Sequence, residues 1–351
     1  MTCHARATAF PMHSTPMRRN WSDSFDGTIK RCFGTKIMRT VTLVTLVLAM
    51  LTAMAAAQDA IKFGYPQTPA GALAVVADKA ELWAKNGLKV ESISFAAAIN
   101  ARDAIIGGRL DVGIAGLTNF LAGASEAGIV SLGVAVDQCA SAAILVKPGS
   151  AIRNLADLKG MRIASQTGTI THSVLVNRLL PGAKLLAGDV QLVNLRFQDM
   201  VSALSARSVD AAAAVDPFLS SAEHSGTGTV VTDFCRAGPV PLVFAASTNF
   251  AKNTDLVRKF IKTWQQAGKL FQSDPELVAQ IYADSLEARG YELPHEVVVN
   301  IIRRLNVKPD TVMFTPRFLA YVREEAKFMQ QQGQLSRLPD FAAAFPKQPL
   351  N

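Results

Sequence analysis

The chain has 351 residues, of which 49% are hydrophobic and 18% are charged, and its formal net charge is +8. This composition excludes an intrinsically disordered chain, and four cysteines are too few for a small scaffold built on disulfides. The length suggests two domains or one large domain.

The basic excess is concentrated in residues 1–57, which hold seven basic and two acidic residues. A nucleic-acid-binding protein would carry its basic excess in the folded domain. We therefore expect no nucleic-acid partner.

Residues 1–57 are typical of a secretory signal peptide. Lys36 and Arg39 precede an uncharged apolar run, 41–57, that ends in alanines. This run of 17 residues is shorter than the roughly 20 apolar residues that a membrane-spanning helix needs. We therefore predict a signal peptide that is cleaved after Ala57, with Met38 as the candidate true start. An uncleaved membrane anchor is the alternative. No cysteine lies at the cleavage point, so a lipoprotein is not expected.

Strands and helices alternate along the chain after residue 57. Strands are predicted at 60–64, 89–95, 111–115, 142–146, 161–165, 191–195, 209–215, 226–233 and 242–247. Helices are predicted at 71–83, 101–107, 118–128, 171–180, 199–207 and 217–224, and the chain is mainly helical after Phe250. Strands separated by helices predict an α/β fold with parallel sheets.

Two stretches, 109–128 and 208–226, share one pattern. Each has a hydrophobic residue, an aspartate, a run of small residues, a polar turn and then Phe-Leu at the start of an alanine-rich helix. Ligands of open α/β sheets bind at the carboxyl ends of the strands. Two such turns therefore predict a binding cleft between two similar lobes.

No catalytic motif stands out after residue 57. The segment lacks GxSxG, HExxH, CxxC, Walker A and GxGxxG patterns, and its three histidines have no metal-ligand spacing. We expect no metal, no cofactor and no enzymatic activity. Cys139 and Cys235 would remain in an oxidising compartment, where a disulfide is permitted; two separate buried thiols are the alternative.

Four segments resemble the periplasmic substrate-binding proteins of ABC transporters, in the nitrate/sulfonate/taurine-type branch. They are 61–91, 104–123, 145–180 (with the characteristic LADLKGMRIA) and 204–226. The resemblance implies a type II periplasmic binding fold: two α/β lobes joined by two crossover strands around a cleft. Lobe one would comprise 58–141 and 246–351, and lobe two 142–245.

The same resemblance implies a function. The chain would be a monomeric periplasmic protein that captures a small anionic or zwitterionic organic solute, like a sulfonate, taurine or nitrate, by cleft closure. It would deliver this solute to an ABC permease in the inner membrane. A periplasmic sensor subunit is the alternative. A pyrimidine-precursor synthase is less favoured, since its cysteine-rich motif is absent.

The resemblance places ligand contacts in the turns after strands. They are Gln67, Thr68, Leu117, Thr118, Asn119, Cys139, Ser141, Gly168, Thr169, Thr171, His172, Asp216 and Pro217, and Asp137 is added as a second acid. It also brings Cys139 and Cys235 near the cleft mouth, which favours a disulfide.

The turn 168–171 is the sharpest of these predictions, because free backbone N–H groups at a helix start favour anions; an ordinary capped helix is the alternative. For Thr118 and Asp216, the alternative to a ligand contact is that the side chain caps a helix. For His172, the alternative is a histidine that only packs against neighbouring residues. An acid in the cleft, Asp216 or Asp137, would suit a ligand that also carries a positive or donor group.

Overall fold

The computed structural model describes residues 60–96, 98–305, 307 and 312–347. The predicted signal peptide, 1–57, lies outside the described residues. Within them the strands are β1 Ile61–Pro66, β2 Val90–Phe95, β3 Val112–Gly116, β4 Val130–Asp137, β5 Ala142–Val146, β6 Arg162–Ser165, β7 Gln191–Asn194, β8 Ala211–Val215, β9 Thr229–Asp233 and β10 Pro241–Ala246.

The helices fall between these strands and fill the C-terminal part of the chain. They are α1 Ala72–Lys79, α2 Leu82–Lys85, α3 Ala98–Ile106, α4 Leu117–Ala127, α5 Ile170–Val174, α6 Leu180–Gly182, α7 Phe197–Ser205, α8 Phe218–His224, α9 Thr248–Lys252, α10 Thr254–Ser273, α11 Pro275–Glu287, α12 His295–Arg304, α13 Pro316–Gln331 and α14 Phe341–Ala344. A π-helical turn, Leu175–Leu179, joins α5 to α6. Across this described part of the chain, no helix has the length and apolar character that crossing a bilayer requires.

The strands form two five-stranded sheets with the same plan. The first sheet has the order β2-β1-β3-β10-β4 and the second has the order β7-β6-β8-β5-β9. In each sheet the first three strands are parallel, and the fourth, β10 or β5, is antiparallel to both of its neighbours. The mixed α/β class is confirmed. The predicted parallel pairing holds for the first three strands of each sheet, and the fourth strand departs from it.

The antiparallel strands are those that enter a sheet from the other one. The chain passes from β4 to β5 through residues 138–141, and from β9 to β10 through residues 234–240. Both entering strands start at the carboxyl edge of their new sheet, where Leu242 pairs with Gly116 and Ala142 pairs with Val215. They must therefore run against the strands that end at that edge.

The sheet order corrects one predicted boundary. Strand β10 pairs with β3 and β4 in the first sheet, so its residues 241–245 do not belong to the second lobe, where the sequence placed them. We call lobe 1 the part around the first sheet, made of the described residues within 60–137 and 241–347, and lobe 2 the part around the second sheet, residues 142–233. Strand β4 was not predicted, although Val130 to Val136 are all buried.

The repeated sequence pattern occupies equivalent places in the two sheets. Its strands, β3 and β8, are each the central strand. The Asp111 carboxylate accepts a hydrogen bond from the Lys62 backbone N–H at 2.8 Å. The Asp210 carboxylate accepts one from the Arg162 backbone N–H at 2.9 Å. The aspartate of the pattern therefore fastens the central strand to its parallel neighbour in both lobes.

The C-terminal helices complete the core of lobe 1. Phe260 and Trp264 of α10 are buried against Phe63 and Phe244 of the first sheet. The Trp264 indole N–H donates to the carbonyl of Ala135 on β4 at 3.0 Å. The aromatic side chains of α10 are thus part of the core of lobe 1.

The two connections between the lobes are fastened to each other. A disulfide joins Cys139 in the first connection to Cys235 in the second, with the Cα atoms 4.7 Å apart. The Asp137 carboxylate accepts hydrogen bonds from the backbone N–H groups of Cys139, at 3.0 Å, and Val240, at 2.9 Å. Asp137 and the disulfide together hold the two connections at one place, which we call the hinge.

The disulfide joins cysteines that are 96 positions apart in the chain, and its removal should destabilise the protein. We predict that the double variant Cys139→Ser, Cys235→Ser loses about 2–4 kcal/mol in free energy of unfolding, because the unfolded chain gains conformational freedom. Urea unfolding measures this loss, and the wild type under a reducing agent should show the same decrease. Equal midpoints for the oxidised wild type and the double variant would contradict the prediction.

Candidate functional site

A cavity of about 400 Å³ lies between the two sheets. Its walls come from the segments that follow β1, β2, β3 and β4 in lobe 1 and β6, β7 and β8 in lobe 2, with additions from β10 and the C-terminal helices. Leu286 of α11 and Tyr291, in the loop after α11, also line the cavity. The carboxyl ends of the parallel strands in both sheets thus meet at one place, as the rule for open α/β sheets predicts.

Half of the predicted contact residues line this cavity. They are Gln67, Thr68, Asn119, Gly168, Thr169, Thr171 and Pro217. The other seven do not line it: Leu117, Thr118, Asp137, Cys139, Ser141, His172 and Asp216. Asp137 and Cys139 belong to the hinge, and Leu117 is fully buried in the core.

The glycine turn after β6 is held by the other lobe. The Gly168 carbonyl accepts hydrogen bonds from the Asn119 amide at 2.8 Å and from the Thr118 hydroxyl at 3.3 Å. The φ of Gly168 is +82°, a region that favours glycine. Thr118 therefore ties the lobes together across the cleft, and its hydroxyl does not cap its own helix.

The two threonines of this turn differ in what their hydroxyl groups bind. The Thr169 hydroxyl donates to the Gln166 carbonyl at 2.7 Å and accepts from the His172 N–H at 3.2 Å, so it caps α5. The Thr171 hydroxyl is buried and has no hydrogen-bond partner in the protein, yet Thr171 lines the cavity. An unpaired buried hydroxyl costs free energy, and an acceptor on a bound solute would satisfy it.

His172 packs behind the turn instead of facing the cavity. Its Nδ1 lies 3.0 Å from the Ser165 hydroxyl, and burial lowers the pKa of its imidazole. His172 therefore matches the alternative interpretation, a histidine that packs against neighbouring residues.

Asp216 is buried beside the cavity and is engaged by protein groups. Its Oδ1 accepts hydrogen bonds from the backbone N–H of Ser220, at 3.0 Å, and from the Ser220 hydroxyl, at 2.6 Å. Burial raises the pKa of the Asp216 carboxyl. The Arg304 guanidinium of α12 lies 3.8 Å from the same oxygen and donates to Glu223 at 2.7 Å. Asp216 and Glu223 of lobe 2 therefore face a cation of lobe 1.

Charged side chains are scarce on the described wall of the cavity. Arg196 is the one charged side chain among the described residues that line it; it is 69% exposed and pairs with Asp199 at 2.8 Å. No Asp, Glu, His, Cys or Lys lines the cavity in the described part of the chain. The wall suits an anionic or neutral solute and offers no carboxylate to an ammonium group.

Several lining residues were not predicted from the sequence. Ile99 and Asn100 follow β2, and Arg196 and Phe197 follow β7. The same rule that selected the turns after β1, β3 and β6 would have found them, since these strands also end at the cleft. No local sequence pattern pointed to Tyr291, because it follows the helix α11 and does not follow a strand.

Residues 54–283 match the model of the NMT1-like family. The chain belongs to the NMT1-like family. A relative, the "Putative aliphatic sulfonates-binding protein" of Escherichia coli (strain K12), is 28% identical over 278 residues, which cover 78% of this chain and 82% of the relative. A "Putative ABC transporter periplasmic binding protein" of Brachyspira hyodysenteriae is 27% identical, over 67% of this chain and 75% of the relative.

Solved structures show the same fold. The periplasmic aliphatic sulphonate binding protein SsuA from Escherichia coli has a TM-score of 0.73 at 25% identity, covering 83% of this chain and 93% of that chain. The alkanesulfonate-binding protein SsuA from Xanthomonas axonopodis pv. citri, bound to MOPS, has a TM-score of 0.72 at 25% identity, covering 83% and 99%. The desulfurization enzyme DSZB shares the fold at 15% identity, with a TM-score of 0.60 over 83% of this chain and 98% of that chain. The family fold, therefore, does not by itself separate binding from catalysis.

The half-buried His172 should make stability depend on pH. The folded state favours the neutral imidazole, whereas the unfolded chain has an ordinary pKa near 6.5, so protons bind the unfolded chain more strongly. We predict that the free energy of unfolding falls between pH 7 and pH 5 by more in the wild type than in His172→Gln. Urea unfolding at both pH values measures the difference. The same pH dependence in both proteins would contradict it.

Proposed function

We propose that this protein is the solute-binding component of an ABC importer and that it binds a small organic anion in the cavity between its lobes. The observation that carries the proposal is the convergence of strand carboxyl ends from two equivalent sheets on one cavity, beside a hinge made of two connections. The relatives named above support the transport role. In this proposal residues 1–57 direct export to the periplasm, and a monomer delivers its solute to a permease of the inner membrane.

The cross-lobe contacts suggest how binding drives closure. Asn119 of lobe 1 reaches the Gly168 carbonyl of lobe 2, and Arg304 of lobe 1 reaches Glu223 of lobe 2. Rotation at the hinge would break both contacts and open the cavity. A solute that touches both lobes makes all of its contacts only in the closed form, so it shifts the population toward that form.

The wall of the cavity supports an anion over a zwitterion. Thr171 offers an unpaired hydroxyl and Arg196 a guanidinium, whereas the Asp137 carboxylate and Asp216 Oδ1 bind protein groups and neither of these residues lines the cavity. Because the described wall has no carboxylate, a taurine ammonium would lose water without gaining a counter-charge. A sulfonate of the kind that the named relatives bind fits this wall better.

The composition of the wall also supports binding over chemistry. Covalent and acid–base catalysis draw mostly on Ser, Cys, His, Lys and carboxylate side chains. The described wall contains threonine and tyrosine hydroxyls, amides and one exposed guanidinium. We therefore propose a receptor and not an enzyme, and a sensor subunit would use the same site.

The free hydroxyl of Thr171 gives the direct test. A thermal-shift screen of alkanesulfonates, taurine, nitrate and aromatic acids first identifies a ligand, which stabilises the protein by mass action. We predict that Thr171→Val then weakens its binding about tenfold or more in calorimetry, because a hydrogen bond to a charged group is lost.

Thr263→Val is the matched control. Thr263 is equally buried, but its hydroxyl donates to the Lys259 carbonyl within α10, and it does not line the cavity. This variant should bind the ligand as the wild type does. Thr169→Val should instead lower the free energy of unfolding by about 1 kcal/mol, because it removes a helix cap. Unchanged affinity in Thr171→Val would contradict its assigned contact, and no stabilisation by any solute would contradict the receptor proposal.

The ion pair of Arg304 tests closure. We predict that Arg304→Gln raises the dissociation constant of the same ligand about two- to fivefold, the range of a partly exposed ion pair. It should also enlarge the radius of gyration of the ligand-free protein in small-angle X-ray scattering, because the lobes lose a contact. Arg303→Gln is the control, since Arg303 pairs with Glu276 inside lobe 1. Equal effects of the two variants would contradict a role in closure.

A further inference from the structure

The cavity is larger than a bare oxyanion requires. Its volume of about 400 Å³ lies in the range of roughly 300–1,000 Å³ that holds organic ligands of drug-like size. Nitrate or sulfate would leave most of this space unfilled, and a two-carbon sulfonate would fill little more. The size therefore points to a ligand with a substantial organic body.

The wall that would surround this body is largely apolar and is drawn from both lobes. Ile99 and Leu286 come from lobe 1, and Phe197 and Phe218 come from lobe 2. Ile99 and Tyr291 are 38% and 41% exposed, and they are two of the six exposed large apolar side chains among the described residues. Apolar side chains left open within a polar rim mark a place where a ligand or partner covers them.

Three of the apolar wall residues are aromatic, and two of them meet across the cleft. The rings of Phe218 in lobe 2 and Tyr291 in lobe 1 lie 6.2 Å apart, nearly perpendicular at 75°. The backbone N–H of Phe197 donates to the Gln166 side chain at 3.2 Å. Aromatic rings prefer such edge and offset contacts with one another, so a further ring in the cavity would gain from these partners.

The polar part of the wall consists of uncharged amide and hydroxyl side chains and a single charged one. Arg196 is the one charged side chain on the described wall, and Thr171 supplies the one buried hydroxyl there that lacks a protein partner. No described carboxylate on the wall could pair with a second, positive group. The wall thus provides for one negative head and one apolar body.

We propose that the preferred ligands are aromatic monoanions, in which an aryl ring carries a single sulfonate or carboxylate group. This inference rests on the proposed function and narrows it, because it ranks aryl anions above short alkanesulfonates, taurine and inorganic oxyanions. The ring contacts Phe197, Phe218 and Tyr291, and the head group contacts Thr171 and Arg196. Because Phe218 and Tyr291 belong to different lobes, the ring also helps to hold the cavity closed.

Calorimetry on the purified protein, freed of any carried ligand, tests the ranking. The probes are benzenesulfonate, benzoate, ethanesulfonate, taurine, sulfate and the uncharged benzyl alcohol. We expect the better of the two aryl anions to bind at least about tenfold more tightly than ethanesulfonate, since several more apolar carbons are buried against aromatic partners. Benzyl alcohol should bind far more weakly than that aryl anion. Benzenesulfonate and benzoate together show which head group is preferred.

Two substitutions at Tyr291 show whether the aromatic wall is responsible. Tyr291→Ala should weaken the binding of the aryl anion much more than the binding of ethanesulfonate, so that the ratio of their affinities falls to about threefold or less. Tyr291→Phe keeps the ring and should keep the ratio. A thermal unfolding curve like that of the wild type confirms that each variant is folded, as expected for an exposed side chain.

The results distinguish a failure of the aromatic preference from a failure of the proposed function. If ethanesulfonate or taurine binds as tightly as the aryl anions, or if Tyr291→Ala leaves the ratio unchanged, the aromatic preference is wrong and the receptor function stands. If none of the probes binds at millimolar concentration and the wider thermal-shift screen finds no ligand, both the preference and the proposed function are wrong.

Discussion

The architecture depends on one constraint: two connections cross between the sheets at a single place and are fastened there. The disulfide between Cys139 and Cys235 and the two hydrogen bonds to Asp137 hold these connections together. Because both connections lie at the carboxyl edges of the sheets, the strand ends of the two lobes are brought to the same cavity. The antiparallel direction of β5 and β10 follows from the same crossing.

The two lobes share a plan and differ where they meet the cavity. An aspartate fastens the central strand to its neighbour in both, through Asp111 and Asp210. After the central strand, lobe 1 presents Asn119, which binds the Gly168 carbonyl of the other lobe, whereas lobe 2 presents Phe218. The strands thus supply a common frame, and the following turns supply one polar and one aromatic contact. Such a division lets the turns change with the ligand while the frame stays the same.

Much of this could be predicted from the sequence, because it depends on local patterns. Each predicted strand has a counterpart in the structure, and the repeated pattern led directly to β3, β8 and the cleft between them. The turn at 168–171 was identified because a glycine and two threonines open a helix after a strand. Which threonine is a cap and which has a free hydroxyl could not be predicted, since that depends on the Gln166 carbonyl and the His172 N–H.

The remaining differences arise from contacts between distant parts of the chain. Strand β4 gave no alternating pattern because both of its faces are covered, and its direction relative to β10 depends on the crossing. Asp216 was placed in the cleft because it follows β8, yet Ser220 and Arg304 engage its carboxylate, and Arg304 lies more than 80 residues away. Tyr291 reaches the cavity only through the packing of the C-terminal helices. Sequence patterns identify the frame, and tertiary contacts decide which side chains of the frame remain free for a ligand.

A crystal structure of the protein with the tightest-binding solute from the screen would test the central claim most directly. The account predicts one solute molecule between the two sheets, within hydrogen-bond distance of the Thr171 hydroxyl and in contact with side chains of both lobes. A solute bound on the surface of a single lobe, with the space between the strand ends filled by protein side chains, would contradict it.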